Sequence, residues 1–210
     1  MAANFNNSAW FYDRLSRMVY GQALINAQLY LIEHIKPNSN LLIAGGGTGW
    51  ILDEITKLHP SGLHITYVEV AANMIALSQK RNTGTNEVAY INSAIENVHL
   101  EQGFDAVITP FLFDNFTEQT LITVFGHIHA LLKPDGLWLN ADFQLTGKWW
   151  QQFLLKSMFV FFRIVCGIEA SKLPQIEIRF TKNNYMLIGQ KTFFNEFILA
   201  KVYRKTISAK

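Results

Sequence analysis

The apolar positions of this chain fall into two alternating rhythms. Runs of four to eight mostly apolar or β-branched residues occupy 41–44, 63–70, 88–91, 104–109 and 137–141. Runs of that length and make-up predict strands. Between them apolar residues recur at helical spacing: Trp50, Ile51, Leu52, Ile55 and Leu58, then Met74, Ile75 and Leu77, then residues 121–132. That spacing predicts helices. Strand alternating with helix over 40–142 implies βαβ units and a parallel sheet. Turn formers punctuate the pattern at His59-Pro60-Ser61-Gly62, Asn82-Thr83-Gly84 and Lys133-Pro134-Asp135-Gly136.

The two ends follow other patterns. Residues 8–20 and 22–35 carry helical spacing, separated by Gly21 and closed by Pro37 and Asn38-Ser39-Asn40. Residues 149–168 predict a helix crowded with Trp149, Trp150, Phe153, Phe159, Phe161 and Phe162. Lys156 and Arg163 interrupt its apolar run, so it predicts a buried or surface-lying helix and not a membrane span. Residues 173–183 are ambiguous. Residues 185–194 and 197–204, joined by Asn195-Glu196, predict a terminal antiparallel hairpin.

The most informative stretch lies where the first strand breaks. Leu41-Leu42-Ile43-Ala44 runs into Gly45-Gly46-Gly47-Thr48-Gly49, and a helix opens at Trp50. Glycine permits positive φ and close approach to a ligand, and a helix N-terminus offers free N–H groups to an anion. In an open parallel sheet, ligands bind beyond the carboxyl ends of the strands. The glycine turn, Glu69, Asn92-Ser93, Thr109 and Asp142 all fall on that edge. A dinucleotide fingerprint counted from Gly45 and Gly47 needs its third glycine at position 50, where this chain has tryptophan. Glu69 ends the second strand about 20 residues on, where a carboxylate can bind ribose hydroxyls.

Composition narrows the partners. The chain has 210 residues, of which half are hydrophobic and 16% charged, enough for a sizeable core in one domain. A formal charge of +2 offers no electrostatic case for nucleic acid. The single cysteine, Cys166, excludes an internal disulfide framework and a cysteine-rich zinc site. Residues 1–7 are polar and show no secretory signal, so a cytoplasmic setting is expected.

These residues resemble the class I S-adenosylmethionine-dependent methyltransferases. Residues 43–49 are similar to the family's first motif and Glu69 to the acid of its second. Glu69-Val70-Ala71-Ala72-Asn73-Met74-Ile75 resembles the stretch that follows that acid. Asn92-Ser93-Ala94 falls where the family often has glycine and aspartate beside adenine, and Leu132-Lys133-Pro134-Asp135-Gly136-Leu137 resembles the turn before strand five. The resemblance implies an α/β fold: a Rossmann-like, mostly parallel seven-stranded sheet with helices on both faces and a C-terminal antiparallel hairpin. It implies a single methyltransferase domain over 1–210, with a helical cap (1–36), a cofactor-binding core (40–142), an aromatic helical insertion (147–183) and the hairpin (184–205). S-adenosylmethionine is the implied cofactor, held by Gly45, Gly46, Gly47, Thr48, Gly49, Glu69, Val70, Met74, Ser93, Ala94 and Thr109. Two positions depart from the pattern. Ile43 stands where the first motif usually has an acid, and Ser93 where the adenine-side aspartate usually lies.

The chemistry expected is in-line methyl transfer to a small, partly apolar molecule, in which the protein aligns the nucleophile and excludes water. No catalytic residue stands out. Asp142 is the candidate acid–base or substrate contact, a loop or helix cap being its alternative, and Asp114 is a lesser one. Thr109-Pro110-Phe111 reads as a pocket wall. Tyr12, Tyr20, Asp142, Trp149 and Trp150 are expected around the substrate, while core or dimer packing is the other reading of the aromatic helix, leaving a homodimer open. His127 and His129, two apart on a helix, make a poor metal pair, and no metal is expected. The alternatives are a catalytically silent methyltransferase-like domain and a nicotinamide-dependent oxidoreductase, which Trp50 should obstruct.

Overall fold

The computed structural model describes residues 20–101, 103–168 and 170–206. One sheet of seven strands runs in the order β3-β2-β1-β4-β5-β7-β6. Its strands are β1 (Asn40–Ala44), β2 (His64–Glu69), β3 (Glu87–Asn92), β4 (Phe104–Pro110), β5 (Leu132–Phe143), β6 (Tyr185–Phe193) and β7 (Ile198–Lys205). Strands β1 to β5 pair in parallel, while β7 runs antiparallel to β5 and β6 antiparallel to β7. The mixed seven-stranded sheet and terminal hairpin are therefore as expected.

Alternation along β1 explains why the sheet is covered on both faces. Leu41 and Ile43 enter one core with Leu31, Ile55, Leu139 and Phe159. Leu42 and Ala44 enter the other with Val124, Phe125, Trp138 and Phe180. The first core lies under helices α1 (Ala23–Ile32), α2 (Trp50–Leu58) and α5 (Trp149–Cys166), the second under α4 (Glu118–Leu131) and α6 (Ile176–Lys182). A strand buried on both sides reads as a continuous apolar run, which is how β1 reads in the sequence. Helix α3 (Ala72–Ser78) follows β2.

Several boundaries differ from the sequence reading. The turn expected over Lys133-Pro134-Asp135-Gly136 lies inside β5 as a bulge: Phe104 pairs with Leu132, then Ala106 with Leu137. Asp135 adopts φ 60 there, and Lys133 pairs with Asp105 at 2.7 Å, anchoring the bulge to β4. Helix α4 begins earlier than expected because the Thr117 side chain caps it, accepting from the Thr120 N–H. Helix α5 stops at Cys166, two residues short of the expected end, because Gly167 takes φ 70. The ambiguous stretch contains α6, one short helix whose buried anchor is Phe180. The helix expected over 8–20 lies outside the described residues apart from Tyr20, and so does Tyr12.

Candidate cofactor and acceptor site

A cavity of about 380 Å³ opens at the carboxyl ends of the parallel strands. Gly45, Gly46, Gly47 and Thr48 line it, together with Glu69, Val70 and Met74 after β2 and Ser93 and Ala94 after β3. The turn is fixed from below by the Gly45 N–H, which donates to the Val68 carbonyl at 2.9 Å. Gly47 has φ 64, and a Cβ there would meet no protein atom within 4 Å, so its open side faces the cavity. Glu69 sits opposite, accepting from the Gly47 N–H at 3.0 Å and from the Ala71 N–H at 2.9 Å. Burial pushes the Glu69 carboxyl above its ordinary range, against the pull of these N–H donors. The Asn92 amide donates to the Glu69 and Val70 carbonyls at 3.0 and 2.9 Å and holds this strand end in place.

The opposite wall follows β4. Pro110, Phe111, Leu112, Asp114, Asn115 and Phe116 line it, with Phe162, Gly167 and Ile168 arriving from the end of α5. The expected pocket wall at Pro110 and Phe111 is found there. Asp114 is the carboxyl on this wall, only 6% exposed, and the Asn115 amide donates to it at 2.7 Å. Behind it lies Asp142, which accepts from the backbone N–H groups of Phe143, Phe113 and Asp114. Burial raises the Asp142 carboxyl to about 7, and burial together with the Asp142 charge pushes Asp114 well above the ordinary carboxylate range.

Six residues expected at the site do not line the cavity. Thr109 is fully buried on the α4 side, where its hydroxyl accepts from the Trp138 indole N–H at 2.9 Å and bonds Asn140 at 2.8 Å. Its neighbour Pro110, one position on and therefore on the other face, takes the cavity side. Gly49 caps α2 at φ 77 and lets Ser78 close against it, so it shapes the turn from outside. Tyr20 packs on Phe143, Phe194 and Phe197, and Trp150 on Phe194 and Phe197, which places both in an apolar cluster at the hairpin. Trp149 is 79% exposed on the outer face of α5. Asp142 lies one layer behind the wall. In the other direction, Gln28, Ile95, Glu96 and Phe116 line the cavity without having been expected there, while Phe162 reaches it from the aromatic helix and Trp50 from the glycine turn. Position after a strand end was a usable signal for Phe116 and Glu96, and the aromatic crowding of residues 149–168 for Phe162; no sequence pattern marked Gln28.

Residues 41–136, which contain the glycine turn, Glu69 and the β4 wall, match the family described as a methyltransferase domain. That match and the relatives below support a class I S-adenosylmethionine-dependent methyltransferase. It is 32% identical over 142 residues to the malonyl-(acyl-carrier protein) O-methyltransferase of Bacillus cereus, an alignment covering 66% of this chain and 51% of the relative. It is 31% identical over 146 residues to the ubiquinone/menaquinone biosynthesis C-methyltransferase UbiE of Wigglesworthia glossinidia brevipalpis, covering 66% and 57%. The chain thus spans about half the length of the curated relatives it matches. The Burkholderia thailandensis 1,6-didemethyltoxoflavin-N1-methyltransferase, solved with its substrate and S-adenosylhomocysteine, shares the fold with a TM-score of 0.66 at 17% identity, covering 93% of this chain and 84% of that one. Ile43 remains a departure from the methyltransferase pattern: it is fully buried in the core and does not line the cavity.

Proposed function

We propose that this chain transfers a methyl group from S-adenosylmethionine to a small, partly apolar molecule in the cytoplasm, working as a single methyltransferase domain. One observation carries the reading: the glycine turn, the Glu69 carboxylate and an aromatic wall border the same cavity. The cavity fits the cofactor's chemistry. Gly47 leaves open the space that a Cβ would fill, Glu69 offers carboxylate oxygens for ribose hydroxyls, and Val70, Met74, Ser93 and Ala94 form a mixed surface for a base. When bound, S-adenosylmethionine supplies an electrophilic methyl on a sulfonium.

The chain's own part is alignment and water exclusion. Phe111, Phe116, Phe162 and Ile168 provide an apolar acceptor end in which a nucleophile is held without competing water. Where the acceptor must lose a proton, Asp114 is the carboxyl at the wall and Asp142 acts through it, as a positioning residue. Trp50 stands on the cavity wall where a dinucleotide would need glycine, which disfavours the nicotinamide reading. The relatives named above methylate oxygen and carbon, and the structural neighbour nitrogen, so the atom methylated here is left to assay. Methyl transfer from labelled S-adenosylmethionine should be detected with at least one member of a panel of apolar hydroxyl, amine and activated-carbon acceptors. S-adenosylmethionine binding without transfer across such a panel would favour the catalytically silent domain. A homodimer, the other reading of the aromatic helix, would use the outer face of α5.

A further inference from the structure

Helix α5 has two working faces. Inward, Gln151, Leu155, Phe159, Phe162 and Cys166 are buried, and Phe162 forms part of the cavity wall. Outward, Trp149 is 79% exposed, Phe153 69%, Val160 57% and Ile164 79%. At about 3.6 residues per turn these four fall on one stripe roughly a sixth of the circumference wide. Lys156 and Arg163 are exposed on the same arc, beside the apolar stripe. No acidic residue occurs between Lys148 and Ile168, and the Lys148 charge is taken by Glu196 at 2.8 Å.

An exposed apolar stripe of this kind marks a partner surface, and the charges select among partners. A second copy of this chain, meeting α5 across a two-fold axis, would bring lysine and arginine against lysine and arginine with no acid on the face to pair them. The face calls for a partner with both apolar depth and negative charge. No described helix is long and apolar enough to cross a membrane. A helix with tryptophan and phenylalanine on one side and lysine and arginine along its flank lies in the plane of a membrane surface.

We propose that the outer face of α5 docks this chain onto an anionic lipid bilayer, with Trp149, Phe153, Val160 and Ile164 entering the headgroup boundary and Lys156 and Arg163 meeting lipid phosphates. Because Phe162 on the opposite side of the same helix walls the cavity, docking sets the acceptor end about one helix diameter, roughly 10 Å, from the bilayer. The acceptor class that follows is a lipid-soluble molecule taken from the membrane; this last step rests on the methyl-transfer reading, while the docking itself does not.

Co-sedimentation of the full chain with vesicles tests it. The chain should sediment with phosphatidylcholine vesicles containing phosphatidylglycerol, bind phosphatidylcholine alone far more weakly, and be released by salt. Phe153→Glu with Ile164→Glu should abolish sedimentation, and Lys156→Gln should weaken it about five-fold on the anionic vesicles, while S-adenosylhomocysteine binding by calorimetry stays at the wild-type value in both. Absence of sedimentation with either vesicle, or sedimentation unchanged in Phe153→Glu/Ile164→Glu, overturns the proposal. So does a dimer in light scattering that the same double substitution dissociates while the wild type ignores vesicles. Failure of the wild type to bind S-adenosylhomocysteine would instead count against the methyl-transfer reading and leave the vesicle result standing.

Discussion

The Tyr67 hydroxyl donates to the Gly47 carbonyl at 2.9 Å. Tyr67 belongs to β2 and is fully buried, and its ring lies where a Cβ at Gly46 would stand. Tyr90 packs beside it at 5.6 Å and donates to the Ser78 carbonyl at 3.3 Å. On the other side of the turn, Arg81 donates to the Thr48 carbonyl at 3.0 Å and pairs with Asp53 at 3.2 Å. With Ile43 contributing no acid, the turn is braced by a phenol and a guanidinium acting on its backbone.

Tyr67→Phe keeps the ring and removes one hydrogen bond, worth about 1 kcal/mol net. Affinity for S-adenosylmethionine and S-adenosylhomocysteine should therefore fall about five-fold, and affinity for methylthioadenosine, which lacks the amino-acid end, should not change. Glu69→Ala should weaken all three, by about a hundred-fold, because the ribose is common to them and hydrogen bonds to a charged group are stronger. Calorimetry with the three ligands separates the two roles; parallel losses in Tyr67→Phe would mean that the phenol only supports the fold.

Thr109 supplies a second test, since the sequence put it at the cavity and the structure does not. Thr109→Val removes the acceptor for the buried Trp138 indole N–H. The expected cost is about 1–3 kcal/mol of folding stability, read from urea denaturation, with S-adenosylhomocysteine affinity unaltered. A loss of affinity with unchanged stability would put Thr109 back at the site.

That misplacement shows where the sequence stops being legible. The alternation of strands and helices, the glycine turn and Glu69 could be read because each leaves a local signature: composition, spacing, a position after a strand end. On β4 every residue from Ala106 to Pro110 is buried, so no polar alternation tells which of Thr109 and Pro110 faces the ligand. Tyr20 and Trp150 went to the hairpin cluster because their partners, Phe194 and Phe197, are far away in the chain and become neighbours only through β5–β7 pairing. Helix α6, seven residues long, is too short for its spacing to register.

The buried Asp114–Asp142 pair predicts a pH dependence of stability. Burial raises the Asp142 carboxyl from 3.8 to about 7, so the folded chain binds a proton more tightly than the unfolded one between those values. Stability then falls as pH rises through that window, and the raised Asp114 carboxyl acts in the same direction. The urea midpoint should drop between pH 5 and about 7.5 in the wild type, and Asp142→Asn, which mimics the protonated form, should flatten the slope. A midpoint rising with pH across this range would contradict the assignment.

The glycine turn and Glu69 form the proposed cradle for S-adenosylmethionine. Gly47 presents open space to the cavity at φ 64, so Gly47→Val both fills that space and strains the backbone at a position outside the β ladder. Calorimetry of S-adenosylhomocysteine on the wild type and on Gly47→Val is the direct measurement. One site per chain is expected in the wild type and no detectable binding in a Gly47→Val protein whose circular dichroism is unchanged; no binding to the wild type, or equal affinity in the two proteins, would contradict the cradle.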